Sequence, residues 1–258
     1  MTNSSKFIDA FIKVYEKALL ENVNRDEVPK HIGIIMDGNR RYAQQLGLDP
    51  KYGHYYGREK LYDVLEWCME LGIKIVTVYA FSTENFMRSR EEVISLMRLF
   101  EETIEKELSE GRIHREKIRV RIIGRRELLP SNLIEKIEKI EEETKNYENY
   151  ILNIAIAYGG REEILDAIKK IILDIMDKKL TVDQINEETV RKNLYTGELP
   201  DPDLILRTSG EERISNFLLW QSAYSELYFT DVYWPSFSKI DFLKAIISYQ
   251  KRQRRFGK

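Results

Sequence analysis

Six short runs of apolar, β-branched-rich residues recur along the chain: His31–Met36, Lys74–Phe81, Ile118–Ile123, Tyr150–Ala157, Asp203–Arg207 and Glu226–Phe229. Runs this short and continuous read as buried strands. Between most of them the apolar positions change to helical spacing. The clearest case follows Ser89, where Glu92 three residues later gives a capping-box signature. Val93, Leu96, Met97, Phe100, Ile104 and Leu108 then keep to one face. Strands alternating with helices predict an α/β fold, a mainly parallel sheet covered on both faces. With no internal repeat, low-complexity segment or Pro/Gly/Ser linker, residues 1–258 read as one domain.

Two outer segments depart from this pattern. In residues 1–25, an amphipathic helix is expected over Phe7–Leu20, with Phe7, Phe11, Val14, Tyr15 and Ala18 on one stripe. Such a stripe packs on its own domain, on a partner or on a membrane surface. Residues 251–258, KRQRRFGK, form a basic tail that is either simply solvated or functional.

Composition narrows the classes. The 258 residues carry 41 basic and 43 acidic side chains, a net charge of -2, and 43% hydrophobic residues. A sizeable core is affordable, and no basic body for nucleic acid is present. The dense, balanced Lys/Glu charge is of the kind found in proteins from hot environments. Cys68 is the single cysteine, so a disulfide framework and a Cys/His metal cluster are excluded, in keeping with a reducing cytoplasm. The N-terminus lacks a signal-peptide pattern, and no run approaches the roughly 20 apolar residues of a membrane span. A soluble or peripheral protein is expected.

Candidate chemistry gathers at three strand ends. After the first run, Asp37-Gly38-Asn39 makes a tight turn and Arg40-Arg41 opens a helix. Ligands of open parallel sheets bind beyond the strands' carboxyl ends. A helix N-terminus suits an anion but contributes only about 0.3–2 kcal/mol. Two arginines add charge-assisted, bidentate contacts, which could hold a diphosphate. Asp37 fits such a cationic place if a Mg²⁺ lies between carboxylate and phosphate; otherwise the segment is a capping turn beside surface arginines. The second run ends in Ser82-Thr83-Glu84-Asn85 and then Arg88, with Phe81 and Phe86 as an apolar wall or ordinary core. Near the C-terminus Arg207, a Thr208-Ser209-Gly210 turn, Arg213 and Ser215 make a second plausible diphosphate site. Glu226, in apolar surroundings, needs an arginine or a metal as partner. Neither a GxxxxGK[ST] nor a GxGxxG loop occurs, which disfavours nucleotide binding.

Together and in this order, MDGNRRYA, YAFSTENFMR and RTSGEERISNFLLWQSAYSELYF resemble the cis-prenyltransferase family, whose bacterial members are undecaprenyl diphosphate synthases. The resemblance runs from about His31 to the terminal RRFGK. Arg40 and Tyr42 stand where bacterial enzymes have glycine and tryptophan, closer to the archaeal and dehydrodolichyl-type branch. The resemblance implies a six-stranded, mostly parallel sheet with surrounding helices and an apolar tunnel, of which the Val93–Leu108 helix is a candidate wall.

By the same resemblance, Asp37 handles Mg²⁺ at the diphosphates. Gly38, Asn39, Arg40 and Arg41, with Tyr42 beside them, match the loop that holds the allylic diphosphate, and His54 also contacts it. Pro50 stands where the family often has an arginine, with Lys51 next to it. Ser82, Thr83, Glu84 and Asn85 match the loop beside the reacting carbons. Asn85 matches the catalytic residue proposed to help proton removal from isopentenyl diphosphate. A neutral amide is a poor base by itself, so positioning the substrate or relay through diphosphate suits it better. Phe86 replaces a tryptophan, and Arg88 matches a substrate-contacting arginine. Arg207 and the Arg213-Ile214-Ser215 stretch match the isopentenyl diphosphate site, with Glu226 a metal-linked or organising carboxylate. Arg255 and Gly257 match a terminal Arg-x-Gly motif that reaches the neighbouring subunit's site in a homodimer.

The implied reaction joins isopentenyl diphosphate units to farnesyl or geranylgeranyl diphosphate, giving a lipid-carrier precursor near C55. The lack of a DDxxD cluster argues against the trans-prenyltransferase solution. At about 0.8 kcal/mol per CH₂, each five-carbon unit favours an apolar tunnel over water by roughly 4 kcal/mol, so a long product leaves more readily into a membrane. A non-catalytic partner subunit is the alternative; retention of Asp37, Asn85 and the tail argues against it.

Overall fold

The computed structural model describes residues 3–252 apart from residue 198. Along the chain these form α1 (Asn3–Glu21), β1 (His31–Ile35), α2 (Asn39–Gln45), α3 (Pro50–Leu71), β2 (Ile75–Ser82), α4 (Arg90–Glu110) and α5 (Arg112–Arg115). They continue with β3 (Ile118–Ile123), α6 (Ser131–Thr144), β4 (Tyr150–Tyr158), α7 (Gly160–Met176), α8 (Glu187–Asn193), β5 (Leu204–Arg207), β6 (Glu226–Phe229) and α9 (Lys239–Lys251). The six strands form one sheet in the order β3-β4-β2-β1-β5-β6. Every pairing is parallel, so the expected α/β fold is found in its all-parallel form.

Period-2 alternation divides the sheet between two apolar layers. Leu204 and Leu206 join Ile32, Ile34, Val76 and Val78 in the larger one, with Trp234 and Phe242. Ile205 faces the other way, with Ile35, Tyr158 and Phe217. All five residues of β1 are buried, because covering both faces leaves a central strand no polar side. One polar line crosses the sheet near its amino ends. His31 Nδ1 lies 2.7 Å from Pro200 O and Nε2 2.7 Å from Thr77 Oγ1, which accepts from Asn153 Nδ2 at 2.9 Å. Burial pushes His31 down to about 4, only partly offset by the Pro200 carbonyl and Asp203.

The capping signature at Ser89 is half realised. Ser89 Oγ accepts from Glu92 N–H at 3.2 Å, but the Glu92 carboxylate serves another purpose, described below. Of the surfaces open to the α1 stripe, its own domain covers little of it among the described residues. The helix is anchored at its end, where Leu19 and Leu20 meet the core and Glu16 pairs with Lys239 at 3.2 Å. Phe11 and Val14 are each 68% exposed, so those stripe positions face outward.

Candidate active site

A parallel sheet brings all its carboxyl ends to one edge, and the three strand-end segments converge there. The turn after β1 depends on Gly38, whose φ of 99° lies in the left-handed region. A Cβ there would also stand 2.8 Å from Tyr233 Cδ1. That turn carries the chain from the strand into α2, only seven residues long, so arginines rather than a helix field dominate the local potential.

Asp37 lies at the centre. Its Oδ2 accepts from Arg207 Nη2 at 2.8 Å, and its Oδ1 accepts from Gly38 N at 2.7 Å and lies 3.4 Å from Arg41 Nη2. Burial alone would raise its pKa, but the Arg207 guanidinium, the Gly38 amide and Arg41 outweigh burial and hold the carboxyl below its usual value. Arg207 is buried at 5% exposure. Its Nη1 donates to Ser215 Oγ at 2.7 Å and to Arg213 O at 2.5 Å. Arg41 also donates to Ser209 Oγ. Glu211 then bridges Arg41 at 3.3 Å and Arg213 at 2.5 Å. What the sequence presented as two arginine sites is therefore one continuous rim, joined at Asp37 and Glu211.

A second carboxylate organises the other side. Glu92 Oε1 accepts from Arg88 at 2.9 Å and lies 3.5 Å from His54 Nε2, while Oε2 lies 3.8 Å from Arg40. Burial and the charge of Arg88 lower the His54 pKa against the opposing pull of Glu92, so the imidazole is neutral near pH 7. Asn85 Oδ1 accepts from Ser82 N at 3.1 Å. Its free amide NH₂ is a donor, which suits positioning rather than proton abstraction.

These groups line a cleft of about 630 Å³, including Asp37, Asn39, His54, Ser82, Glu84 and Asn85, with Arg88, Arg207 and Ser215. A polar hollow of about 310 Å³ adjoins it at Gly38, Arg40 and Arg41. Arg207 Nε, Asn39 Oδ1 and His54 Nε2 are buried there without a hydrogen-bond partner among the described residues. Orphaned polar atoms around one cleft mark a site prepared for a ligand. A Mg²⁺ that keeps waters and takes diphosphate oxygens needs only one or two carboxylates, and Asp37 fits that need. A cage made wholly of protein is not offered, since no group of three or more metal-ligating His, Cys, Asp or Glu residues occurs among the described residues.

Other expected residues lie apart. Glu226 begins β6 and pairs with Arg252 at 2.9 Å. In register it faces Leu204, three residues before Arg207, so it sits about 10 Å along the strand from the rim. Phe86 packs edge-on against Phe81 at 4.8 Å, Tyr42 against Tyr56 at 5.6 Å, and Ile214 on the layer containing Phe217. Thr83 Oγ1 donates to Glu84 at 3.3 Å. Arg255 and Gly257 lie outside the described residues. Conversely, Arg161 and Glu162 line the cleft outside any quoted motif, Asn216 lines it from within the third motif without a role assigned to it there, and Glu92 enters the sequence reading only as a cap.

The sequence model of the family described as "Putative undecaprenyl diphosphate synthase" matches residues 35–257, nearly the whole of this arrangement. The chain belongs to this family of cis-prenyltransferases. It is 60% identical over 258 residues to the tritrans,polycis-undecaprenyl-diphosphate synthase (geranylgeranyl-diphosphate specific) of Thermoplasma acidophilum, covering 100% of both chains. The protein of the same description from Pyrococcus furiosus is 56% identical, with 98% of this chain and 96% of that one covered. Among solved structures, lavandulyl diphosphate synthase from Lavandula x intermedia, in complex with dimethylallyl diphosphate, superposes with a TM-score of 0.86 at 36% identity. The match covers 90% of this chain and 99% of that one. A probable undecaprenyl diphosphate synthase from Campylobacter jejuni gives 0.73, also at 36% identity, covering 89% and 99%. As a cis-prenyltransferase, the enzyme has its arginine rim where an open sheet binds ligands.

Proposed function

We propose that the enzyme condenses isopentenyl diphosphate repeatedly onto geranylgeranyl diphosphate, giving a polyprenyl diphosphate near C55 as a lipid-carrier precursor. The observation that carries this reading is Asp37, bonded to Arg207 on one side and close to Arg41 on the other. That geometry supports two diphosphates side by side, the allylic one toward Arg40, Arg41, Arg88 and His54, the isopentenyl one toward Arg207, Arg213 and Ser215. The specificity printed for the archaeal relatives supports geranylgeranyl over farnesyl diphosphate as primer.

In the reaction, C4 of isopentenyl diphosphate attacks C1 of the allylic substrate while the C1–O bond to diphosphate breaks. Asp37 would hold a Mg²⁺, which when bound would neutralise charge on the diphosphate oxygens. Arg40 and Arg41 hold the departing group, electrostatic stabilisation of the kind that dominates many barriers. Asn85 orients the isopentenyl unit with its free NH₂, and the proton lost as the cis double bond forms passes to diphosphate. The growing chain enters the apolar cavity of about 70 Å³ between α3, α4 and the sheet, where Leu61, Leu65, Ile104 and Ile154 meet. A C55 chain needs far more room, so α3 and α4 separate as it lengthens.

The working unit is a homodimer in which Arg255 and Gly257 reach the partner's site. Support comes from α7, whose Leu165, Ile168, Ile172 and Met176 are 55%, 44%, 50% and 72% exposed at helical spacing; a contiguous apolar patch of this kind marks an interface. Glu226, remote from its own rim, would organise a site only across such an interface. No helix among the described residues is long and apolar enough to cross a membrane. The outward Phe11 and Val14 suit peripheral contact of a cytoplasmic enzyme with a bilayer. Incubation with labelled isopentenyl diphosphate, Mg²⁺ and each primer, followed by chain-length analysis, tests the proposal. Elongation from geranylgeranyl diphosphate to about C55 is expected; no elongation from either primer would sink it.

A further inference from the structure

The segment after Arg213 is conformationally unusual. Ser215, Asn216 and Leu218 have φ values of 47°, 64° and 45°, a left-handed run that only Asn tolerates readily. Such backbone persists only where its surroundings over-determine it. Here the Asn216 amide supplies much of that constraint. Its Nδ2 donates to Glu84 Oε1 and to Glu162 Oε2, each at 3.2 Å. Its Oδ1 accepts from Arg161 N at 2.9 Å, and its backbone O from Gly160 N at 2.7 Å. The preceding carbonyl, Ser215 O, receives the Tyr79 hydroxyl at 3.3 Å, and Tyr79 stacks on Phe217 at 4.7 Å.

One side chain thus ties three separate stretches of chain at the mouth of the cleft: the 83–87 turn that carries Asn85, the first turn of α7, and the turn that carries Ser215. The fit is close. A Cβ on Gly159 would stand 2.7 Å from Asn216 Nδ2 and 2.1 Å from Glu162 Oε2, so a side chain there would push both groups out of this arrangement. Without the amide, two carboxylates, Glu84 and Glu162, would face each other with no shared donor.

We propose that Asn216 is a positioning residue, a strap that holds Ser215 and Arg207 in register with Asn85 and so preorganises the isopentenyl diphosphate half of the cleft. This rests on the two-diphosphate reading above. The allylic half is built on Glu92, Arg40, Arg88 and His54, none of which Asn216 touches, so the strap should affect one substrate and not the other.

The test uses purified full-length enzyme with Mg²⁺, varying isopentenyl and geranylgeranyl diphosphate in turn. Asn216→Gly keeps a residue suited to positive φ and removes only the amide. Its KM for isopentenyl diphosphate should rise about tenfold, as for loss of hydrogen bonds to charged groups. Its KM for the allylic primer should stay within about twofold and its circular dichroism should be unchanged. Asn216→Asp, which sets a third carboxylate between Glu84 and Glu162, should be worse. Adding Glu162→Gln to Asn216→Asp returns a donor and should recover most of the loss. Unchanged KM values, an equal rise for both substrates, or no rescue in the double variant would overturn the strap. If the wild type itself incorporates no isopentenyl units, the reaction reading fails and the strap with it; a working wild type matched by Asn216→Gly sinks the strap alone.

Discussion

The central strands carry polar groups at both ends, and the two ends are built on opposite rules. At the amino end His31, Thr77 and Asn153 are uncharged at neutral pH, fully buried and linked across β1, β2 and β4. Both His31 nitrogens have a partner within 2.7 Å. At the carboxyl end the groups are charged and shared: Asp37 among Arg207, Arg41 and Gly38, Glu92 among Arg88, Arg40 and His54. There Arg207 Nε and His54 Nε2 stay buried and unbonded among the described residues. A neutral network that is paired almost throughout rigidifies a fold, whereas a partly satisfied charged one is far costlier unless something else completes it. At the amino end the neutral groups pair mostly with one another, only Asn153 Oδ1 being left without a partner among the described residues of that line; at the carboxyl end we propose that substrate completes the charged groups.

The sharpest way to break this contrast is Asp37→Ala. Turnover should fall by at least about a thousandfold, the scale for losing a preorganised electrostatic contact at the reacting group, with circular dichroism unchanged. Near-normal steady-state rates would remove Asp37 from the centre of the account. At the amino end the effect should appear in stability instead. His31 titrates near 4 when folded against about 6.5 unfolded, so between these values the unfolded chain holds the extra proton and folding loses stability as pH falls. From pH 6.5 to 5 the loss is on the order of 2 kcal/mol. Urea titrations should find it in the wild type and not in His31→Gln, whose turnover per folded molecule at pH 7.5 should match the wild type. Smaller still, Arg40→Ala should raise the KM for the allylic primer about tenfold without altering that for isopentenyl diphosphate. Its guanidinium is half exposed and 3.8 Å from Glu92, so thermal stability should hold. Deleting Arg255–Lys258 should slow turnover by less, and an unaffected rate would leave that tail merely solvated.

Much of the fold was legible because all-parallel strands are buried on both faces and read as unbroken apolar runs. Four predicted strands differ from the observed ones by a residue at an end: His31–Met36 ends at Ile35, Lys74–Phe81 runs Ile75–Ser82, Tyr150–Ala157 extends to Tyr158, and Asp203–Arg207 starts at Leu204. The residues at the rim were legible too, since Asp37, Ser82 and Arg207 each end or follow a strand. What stayed hidden depends on contacts between distant segments. Glu92 looked like half of a capping box, and only the approach of α3 and α2 makes its carboxylate a hub. Asn216, Arg161 and Glu162 come together because α7 starts where the Ser215 turn ends, a register no local pattern encodes. The outward face of Phe11 and Val14 was equally unreadable, since an amphipathic stripe does not say what covers it. Glu226 belongs to the same sheet as β1, which Asp37 follows, but begins its own strand at the far end, which spacing alone could not reveal.

The claim that the rim holds two diphosphates joined at Asp37 is tested most directly by equilibrium binding. An unreactive thiolo analogue of geranylgeranyl diphosphate would be titrated with Mg²⁺ into the wild type, with and without saturating isopentenyl diphosphate. The account predicts that both ligands occupy each chain together, and that Asp37→Ala weakens both. Mutual displacement, one ligand expelling the other from a single site, would contradict it.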